Sequence, residues 1–245
     1  MARADLHIHS RYSDGLAPVS AILARAEECG LDVIAVTDHE DASGGQRARE
    51  LASRTGSVVR VIVGAEVTTL QGHLLCLFIE TSPKSFRSVE ATLEAVHAQG
   101  GLAVAPHPMS WLTRSLSERT IERIQARAEP GLTFDAIETA NPSPAGRLTR
   151  ARTLVANEGW RLPVTGGSDA HHLPHVATGW TEFGGSGEAD LRRAIVAGTT
   201  TAAMTRYPSL RDVGLGRTAL GLAWGYCATP RKMLRAAPGH WRRPS

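Results

Sequence analysis

Short apolar runs rich in β-branched residues alternate along most of the chain with segments in which apolar residues recur at helical spacing. This alternation is typical of parallel βα units. Strands are predicted over residues 4–9, 33–37, 58–68, 73–79, 102–105, 136–139 and 162–166, with a last strand–helix–strand unit over 178–204. Helices are predicted over 18–29, 43–53, 85–99 and 144–158, with another opening at 117 and a closing helix over 211–224. The pattern predicts an α/β domain with about seven core strands.

The length and composition agree with one soluble globular domain. The chain has 245 residues, of which 42% are hydrophobic and 21% are charged. Its longest apolar stretches, 74–79 and 219–224, are too short to span a bilayer. Because four residues precede Asp5, no signal peptide fits before the first motif, and we expect a cytoplasmic location. Cys29, Cys76 and Cys227 lack CxxC spacing and are interpreted as ordinary thiols of a reducing compartment.

The formal net charge of +3 is unevenly distributed. Residues 206–245 hold eight Arg or Lys and one acid, Asp212, so they carry +7 and the rest of the chain about −4. This change in net charge along the chain predicts a main domain over 1–205 and a basic extension over 206–245. We expect a helix of the extension to pack on the main domain and a loose tail to follow. Nucleic acid, a twin subunit and anionic lipid are alternative partners of the extension.

The run DLHIHS at residues 5–10 contains the most informative pair of polar side chains. Residues two apart on a strand point to the same face, so His7 and His9 are expected to converge. Two imidazoles beside carboxylates favour a metal site. Taken alone, the pair fits half-buried strand histidines equally well.

The same combination of acid and histidine returns near the ends of later strands, where barrel enzymes carry their chemistry. A Glu inside an apolar strand is costly unless it is paired or bound to metal. Two prolines restrict the backbone around the histidine of the run PHP at 106–108. With the first pair, the candidate metal ligands are His7, His9, Asp14, His39, Glu66, His73, His107, Asp169 and His171.

Nine ligands exceed the needs of one ion and suit two or three divalent ions, such as Mn²⁺, Zn²⁺ or Fe²⁺, with shared oxygen bridges. Asp38 precedes His39 and is predicted to orient it; it is also a candidate catalytic residue. His172 and His175 follow the last motif, and we expect His172 to be catalytic and His175 to contact substrate. We assign no chemistry to His97 or to the tail residue His240.

Taken in order, the runs DLHIHS, TDH (37–39), GAE (64–66), PHP and SDAH (168–171) resemble the PHP family, named after polymerase and histidinol phosphatase. The resemblance spans residues 4 to about 205. It implies a distorted (β/α)7 barrel, similar to a TIM barrel, with a two- or three-metal centre on its C-terminal rim. The run SDG at 13–15 resembles the branch that includes nucleotide phosphatases.

The resemblance also implies how the ligands divide. His7, His9 and Asp169 would hold one ion. His73 and His107 would hold a second, and Glu66 would bridge it to the first. The third group would hold the remaining ion and consists of Asp14, His39 and His171.

We therefore expect a metal-dependent phosphoesterase in which a hydroxide bridging the ions attacks a small phosphomonoester, with nucleotides favoured. A phosphate also favours a guanidinium partner, and Arg114 and Arg147 follow strands on the same rim. Asn141 ends a strand there and is predicted to line the substrate pocket.

Two alternatives stay open at this point. One is a 5′–3′ exonuclease acting on short RNA or DNA, with the basic extension gripping the backbone. The other is a non-catalytic regulatory module that keeps its metal ligands for folding.

Overall fold

The computed structural model describes residues 1–127 and 129–214, together with Gly216 and Ala223. Within these residues nine strands form a single sheet. The strands are β1 (Ala2–Ile8), β2 (Val33–Val36), β3 (Arg60–Thr68), β4 (His73–Leu77), β5 (Leu102–Ala105), β6 (Ala136–Ala140), β7 (Val164–Gly166), β8 (Gly179–Phe183) and β9 (Thr201–Met204).

Seven α-helices and one short 3₁₀ helix (Leu173–His175) connect or follow these strands in the described part of the chain. The α-helices are α1 (Val19–Glu28), α2 (Ser43–Thr55), α3 (Val89–His97), α4 (Glu118–Arg127), α5 (Pro144–Trp160), α6 (Glu188–Val196) and α7 (Leu210–Val213).

The strand order is β7-β6-β5-β4-β3-β2-β1-β8-β9. Pairing is parallel from β1 to β3 and from β5 to β7, whereas β4 is antiparallel to both of its neighbours. β8 runs antiparallel to β1 and to β9. The sheet curls back on itself, since Ile8 bridges to Ala170 and the Thr181 hydroxyl bonds to Gly166 on β7. The expected barrel-like α/β fold is confirmed.

The sheet departs from uniform parallel βα units in two places. The strand–helix–strand unit predicted over 178–204 is present, but its first strand, β8, pairs antiparallel with β1. The connection from β3 to β4 is also too short for a crossover helix, so these two strands form an antiparallel hairpin.

The hydrophobic core lies on both faces of the sheet. Val33 and Ala35 face a cluster that includes Phe183 of β8 and Leu191 of α6. Ile34 and Val36 face the other way and pack with α1 and α2. A third cluster lies between β3–β6 and helices α3 and α4. Because β2 buries both faces, it reads in sequence as a continuous apolar run.

Several predicted boundaries shift by a few residues. α3 begins at Val89 because the Ser88 hydroxyl accepts a hydrogen bond from the Ala91 amide and caps the helix. Of the predicted closing helix, the structure shows α7, and most of 215–245, including Cys227 and His240, lies outside the described residues. The division at residue 205 therefore stays a prediction. Cys29 and Cys76 are free thiols.

No helix in the described ranges is both long and apolar enough to cross a bilayer.

His97 ties the end of α3 to the segment before β6. Its Nδ1 lies 2.7 Å from the Gly131 carbonyl oxygen and its Nε2 lies 2.8 Å from Asp135 Oδ2. Both partners accept, so the protonated ring satisfies both contacts. The hydrogen bond to Asp135 raises the pKa of His97. This histidine has a structural role.

We predict that His97→Gln lowers stability most at acid pH. The folded-state pKa of His97 is raised, so its contribution is fully present below the unfolded pKa of about 6.5 and is lost as the pH rises through the folded pKa. Urea unfolding near pH 5.5 and pH 9 should show a deficit of about 1 kcal/mol that shrinks at the higher pH. A deficit independent of pH would contradict a charged contact.

Candidate metal centre

The structure brings all nine predicted ligands to one place. Each has a ligand atom within 3.6 Å of a ligand atom of another member of the set. They come from strands or segments that meet at one end of the barrel, as the strand-end pattern predicts. Sequence separation is therefore no guide to proximity here.

β1 positions the first pair. His7 and His9 are separated by one residue, so the pleat sends both rings to the same face, with centroids 5.2 Å apart. Both side chains are fully buried. The convergence inferred from HIH alone is observed.

Glu66, on β3, lies at the middle of the cluster. Its Oε2 is 3.3 Å from the Nε2 atoms of His7 and His9 and 3.5 Å from His39 Nδ1. Its Oε1 is 2.8 Å from His73 Nδ1 and 3.0 Å from His107 Nε2. One buried carboxylate thus contacts five imidazoles.

The first ligand group matches the spacing of atoms that share one ion. Tetrahedral ligand bonds of about 2.0–2.2 Å place two ligand atoms roughly 3.3–3.6 Å apart. Asp169 Oδ1 lies 3.6 Å from His7 Nε2 and 3.5 Å from His9 Nε2, and both nitrogens lie 3.3 Å from Glu66. These four residues fit one ion.

The third ligand group lies around Asp14, on the turn after β1. Its Oδ2 lies 3.5 Å from His39 Nε2 and 3.3 Å from His171 Nε2, and its Oδ1 lies 3.5 Å from His9 Nδ1. Glu66 also contacts His73 and His107; the ligand atoms of His73 lie close to those of Glu66 and His39, and the ligand atoms of His107 lie close to those of His7 and Asp169. The hairpin delivers His73 to this site, because Thr68 and His73 pair directly across β3 and β4.

Several buried ring nitrogens make no hydrogen bond of standard geometry with a described residue: both of His9, both of His73, and Nδ1 of His39. Buried polar atoms are normally satisfied, so exceptions need an explanation. A divalent cation would bind to the lone pairs of these ring nitrogens, which make no hydrogen bond. The donor set of imidazoles and carboxylates fits Zn²⁺, Mn²⁺ or Fe²⁺.

The electrostatics of the cluster favour cations. Burial alone would raise the pKa of Glu66, but His73, His39 and His7 outweigh it and hold the pKa well below the usual value. Neighbouring histidines likewise outweigh burial and lower the pKa of Asp14 and of Asp169. Three buried carboxylates thus stay ionised, and metal ions would balance their charge.

The carboxylates also shift the pKa values of the histidines. Burial lowers the pKa of His9, but Asp169 and Glu66 outweigh it and raise the pKa to about 10. In His39 burial dominates and lowers the pKa to about 4. Without metal, His9 therefore holds a proton in place of a cation, and metal binding would release it.

A fourth carboxylate, that of Glu138 on β6, is buried and contacts the ligand residues from outside the cluster. Its Oε1 lies 3.1 Å from His7 Nδ1, and its Oε2 accepts a 2.8 Å hydrogen bond from the His107 amide. Carboxylates in this position fix the tautomer and direction of a metal-bound ring. Sequence analysis missed Glu138, although a Glu in the apolar run AIETA gives the same signal as Glu66.

Two further predicted site residues make hydrogen bonds within the barrel. Asn141 is buried; its amide donates to Glu138 Oε2 at 2.8 Å and its Oδ1 accepts from the Ser143 amide at 2.9 Å. It holds Glu138 in place. Asp38 is fully buried and its carboxylate accepts hydrogen bonds from Ser10 and Ser13. It fixes the loop that carries Asp14.

The backbone around the ligands is constrained. His107 and Asp169 have φ of 28° and 53°, in the left-handed region that non-glycine residues seldom adopt. Gly167 passes so close to β1 that a Cβ there would lie 2.5 Å from the His7 Cβ. Such strain concentrates at functional sites.

The cluster opens to solvent on one side. Eight of the nine ligand side chains are at most 12% exposed, whereas His171 is 34% exposed. Two cavities adjoin this side, of about 660 Å³ and 390 Å³, and His172 lines both. The cluster is therefore accessible to solvent from the His171 side.

The predicted substrate residues differ in whether they line one of these cavities. Arg147 and His175 line the smaller cavity. Burial, followed by His172 and His171, lowers the pKa of His175 to about 4, against an opposing hydrogen bond with the Pro208 backbone. Arg114 is exposed and lines neither cavity, while its carbonyl accepts a 2.9 Å hydrogen bond from the His73 amide.

Comparisons with known proteins agree with the geometry. A family model described as PHP domain matches residues 5–149, and one described as PHP-associated matches 149–200. An uncharacterized protein of Methanocaldococcus jannaschii is 35% identical over 151 residues, covering 57% of this chain and 81% of that protein.

The 5′-3′ exoribonuclease Rnm of Salmonella typhimurium is 28% identical over 155 residues, which are 62% of this chain and 47% of the enzyme. The chain thus spans less than half of that relative. A two-domain protein of Bacteroides vulgatus, described as containing a predicted PHP-like metal-dependent phosphoesterase, superposes with a TM-score of 0.66 at 21% identity. That likeness covers 83% of this chain and 64% of the other, and it shows a shared fold.

We predict that Glu138→Gln weakens metal binding about 10–100-fold, because the amide offers His7 a weaker acceptor. Equilibrium metal titration of stripped protein against a competing chelator measures this. Glu122→Gln, an exposed carboxylate on α4, is the matched control. Equal affinities in the two variants, with intact circular dichroism, would contradict the orienting role of Glu138.

Proposed function

The chain belongs to the PHP family, and we propose that it is a metal-dependent phosphoesterase that hydrolyses a small phosphomonoester, with nucleotides favoured. The observation that carries the proposal is the position of Glu66 among five imidazoles. Asp14 and Asp169 extend this cluster, in which four overlapping groups of ligand atoms lie close enough together to hold an ion. Adjoining cation sites of this kind suit the transfer of a negatively charged phosphoryl group.

Three groups of residues would hold the ions. His7, His9, Glu66 and Asp169 form the first, Glu66 with His73 and His107 the second, and Asp14 with His39 and His171 the third. Bound divalent ions supply a nucleophile at neutral pH and positive charge for phosphate oxygens.

The chain's own residues do the rest. Burial of His7, His9 and Glu66 excludes bulk water from the deep side, so the ester approaches past His171. We assign His172, next to that ligand and on the wall of both cavities, to contact the leaving oxygen. Arg147 lies where a guanidinium would bind phosphate.

The larger cavity suits the organic part of a small ester. Its wall is mostly apolar and includes Leu16, Pro18, Leu173 and Pro174, with Arg11 at one edge. Binding pockets of this volume and character hold small molecules. The SDG turn resembles the nucleotide-phosphatase branch, which favours a nucleotide as the occupant.

We predict that metal-stripped protein hydrolyses none of a panel of phosphomonoesters and regains activity with Mn²⁺, Zn²⁺ or Fe²⁺. Nucleoside monophosphates should be the best substrates, measured as released phosphate. Protein that holds metal by elemental analysis yet is inert on every ester would refute the proposal and fit the non-catalytic module.

We predict that His107→Gln lowers kcat/KM more than about 100-fold, beyond the loss typical of residues outside the ligand set. His97→Gln, which removes a histidine away from the cluster, is the matched control and should keep activity. Full activity of His107→Gln would contradict its assignment as a ligand, and thermal unfolding checks that both variants fold.

A 5′–3′ exonuclease is the second candidate, because the Salmonella typhimurium relative carries that name. It would degrade 5′-phosphorylated oligonucleotides in preference to mononucleotides. Its rate would fall steeply with salt and when the Arg and Lys residues of 217–243 are changed to Gln in the full-length chain. Faster turnover of mononucleotides, with little salt dependence, favours the small ester.

A further inference from the structure

We propose that one part of the barrel rim, beside His73 and His107, is a docking surface for an anionic lipid bilayer. Three loop segments form this rim surface: residues 69–72, 84–88 and 109–115. The proposal names a partner of the protein and does not depend on which ester the metal centre hydrolyses.

The three segments pack against one another. The Leu70 amide donates to the Arg87 carbonyl at 2.9 Å, which joins the hairpin turn between β3 and β4 to the segment before α3. On the other side of the turn, Gly72 lies so close to the third segment that a Cβ there would lie 2.5 Å from the Ser115 carbonyl carbon. The hairpin turn is therefore at the middle of one continuous surface.

The rim surface is fixed to the metal ligands. The His73 amide donates to the Arg114 carbonyl at 2.9 Å, and the Ser115 hydroxyl lies 2.8 Å from His107 Nδ1. The loops that carry the exposed side chains are thus held by two ligand residues. Loops that are already ordered lose little conformational entropy when they bind a partner.

Three large apolar side chains of this surface face solvent. Trp111 is 77% exposed, Leu70 is 62% exposed and Leu112 is 46% exposed. Exposed apolar groups that lie together mark interaction sites. Tryptophan is enriched at the boundary between membrane and water, and leucine inserts among acyl chains.

These leucines favour a bilayer over a single strand of nucleic acid. Bases of such a strand stack on aromatic side chains, so Trp111 alone among the three would find a partner there. A bilayer accounts for Trp111, Leu70 and Leu112 together.

The charge of the rim surface complements anionic lipid. Lys84, Arg87 and Arg114 are exposed, and none forms an ion pair with a described residue. The three segments contain no Asp or Glu. Glu40 contacts the Ser85 hydroxyl from beneath and is buried. No exposed carboxylate of these segments therefore opposes the three cations.

The acids that begin the two following helices are already paired. Glu90, in the first turn of α3, forms ion pairs with Arg123 and Arg127. Glu118, in the first turn of α4, forms an ion pair with Arg152. Their charge is balanced locally, which leaves the cations of the rim surface to attract lipid headgroups.

The first test is sedimentation of the full-length protein with vesicles. The protein should sediment with equal parts phosphatidylcholine and phosphatidylglycerol and should stay in solution with phosphatidylcholine alone. Arg87→Gln should lower the partition coefficient about fivefold, and joint replacement of Lys84, Arg87 and Arg114 by Gln about 100-fold. Arg60→Gln is the matched control, because this exposed arginine begins β3 at the end opposite to the metal ligands.

The second test examines insertion of the apolar side chains. Trp111→Ser should weaken vesicle binding, whereas Trp111→Phe should restore most of it. Anionic vesicles should shift the tryptophan emission of the wild-type protein to shorter wavelength, and Trp111→Phe should lose this shift. Val58→Ser is the matched control, since Val58 is 80% exposed just before β3 at the opposite end.

Three results would overturn the proposal. One is wild-type protein that stays in solution with anionic vesicles. Another is wild-type binding in the Trp111→Ser and triple Gln variants, combined with lost binding when the Arg and Lys residues of 217–243 are changed to Gln. That result would place the lipid contact on the basic extension. The last is tight binding of a labelled single-stranded oligonucleotide that depends on Trp111, without any vesicle binding, which would assign the rim surface to nucleic acid.

Discussion

The contact of the Glu66 carboxylate with five imidazoles is the constraint on which the rest of the site depends. A carboxylate at 1% exposure is costly to bury unless cationic groups surround it. β3 places it where residues of β1, β4 and two strand-following segments converge, and its backbone bridges to His39. The antiparallel β3–β4 hairpin then brings His73 within 2.8 Å. A purely parallel barrel would carry the strand after β3 away from this edge.

Much of this site could be predicted from sequence because the signals are local. Strand alternation alone aligns His7 with His9, and an acid in an apolar strand identifies Glu66. The roles of Asn141 and Asp38 could not be read in this way. Asn141 bonds to Glu138 and Ser143, and Asp38 bonds to Ser10 and Ser13. Which partners a residue meets depends on which segments pack together. A polar residue at a strand end looks the same whether it faces a ligand or a buried neighbour.

The fold class was predictable for a similar reason, whereas the pairing of strands was not. Apolar runs and helix caps report which element forms, and those elements were located within a few residues. Whether β8 joins the sheet beside β1 depends on contacts between Ala2–Ala4 and Thr181–Phe183, which are far apart in sequence. The cavity lining shows the same limit, since Arg206 and Tyr207 line the smaller cavity only because the segment after β9 returns to the barrel.

Glu138 and Glu66 contact the metal-ligand residues His7 and His107 from opposite sides. One oxygen of Glu138 binds the His7 ring and the other the His107 amide, so it links a ligand of the first group to one of the second. Asn141 holds that carboxylate in turn. The two acids therefore clamp His7 and His107 from both sides, and His107 keeps an unfavourable φ of 28° within this clamp. Because the clamp joins β1, β3 and β6, occupation of the metal groups should couple to the stability of the whole barrel. The position of the ligands is thus a property of the sheet, and residues outside the cluster control it as directly as the ligands themselves.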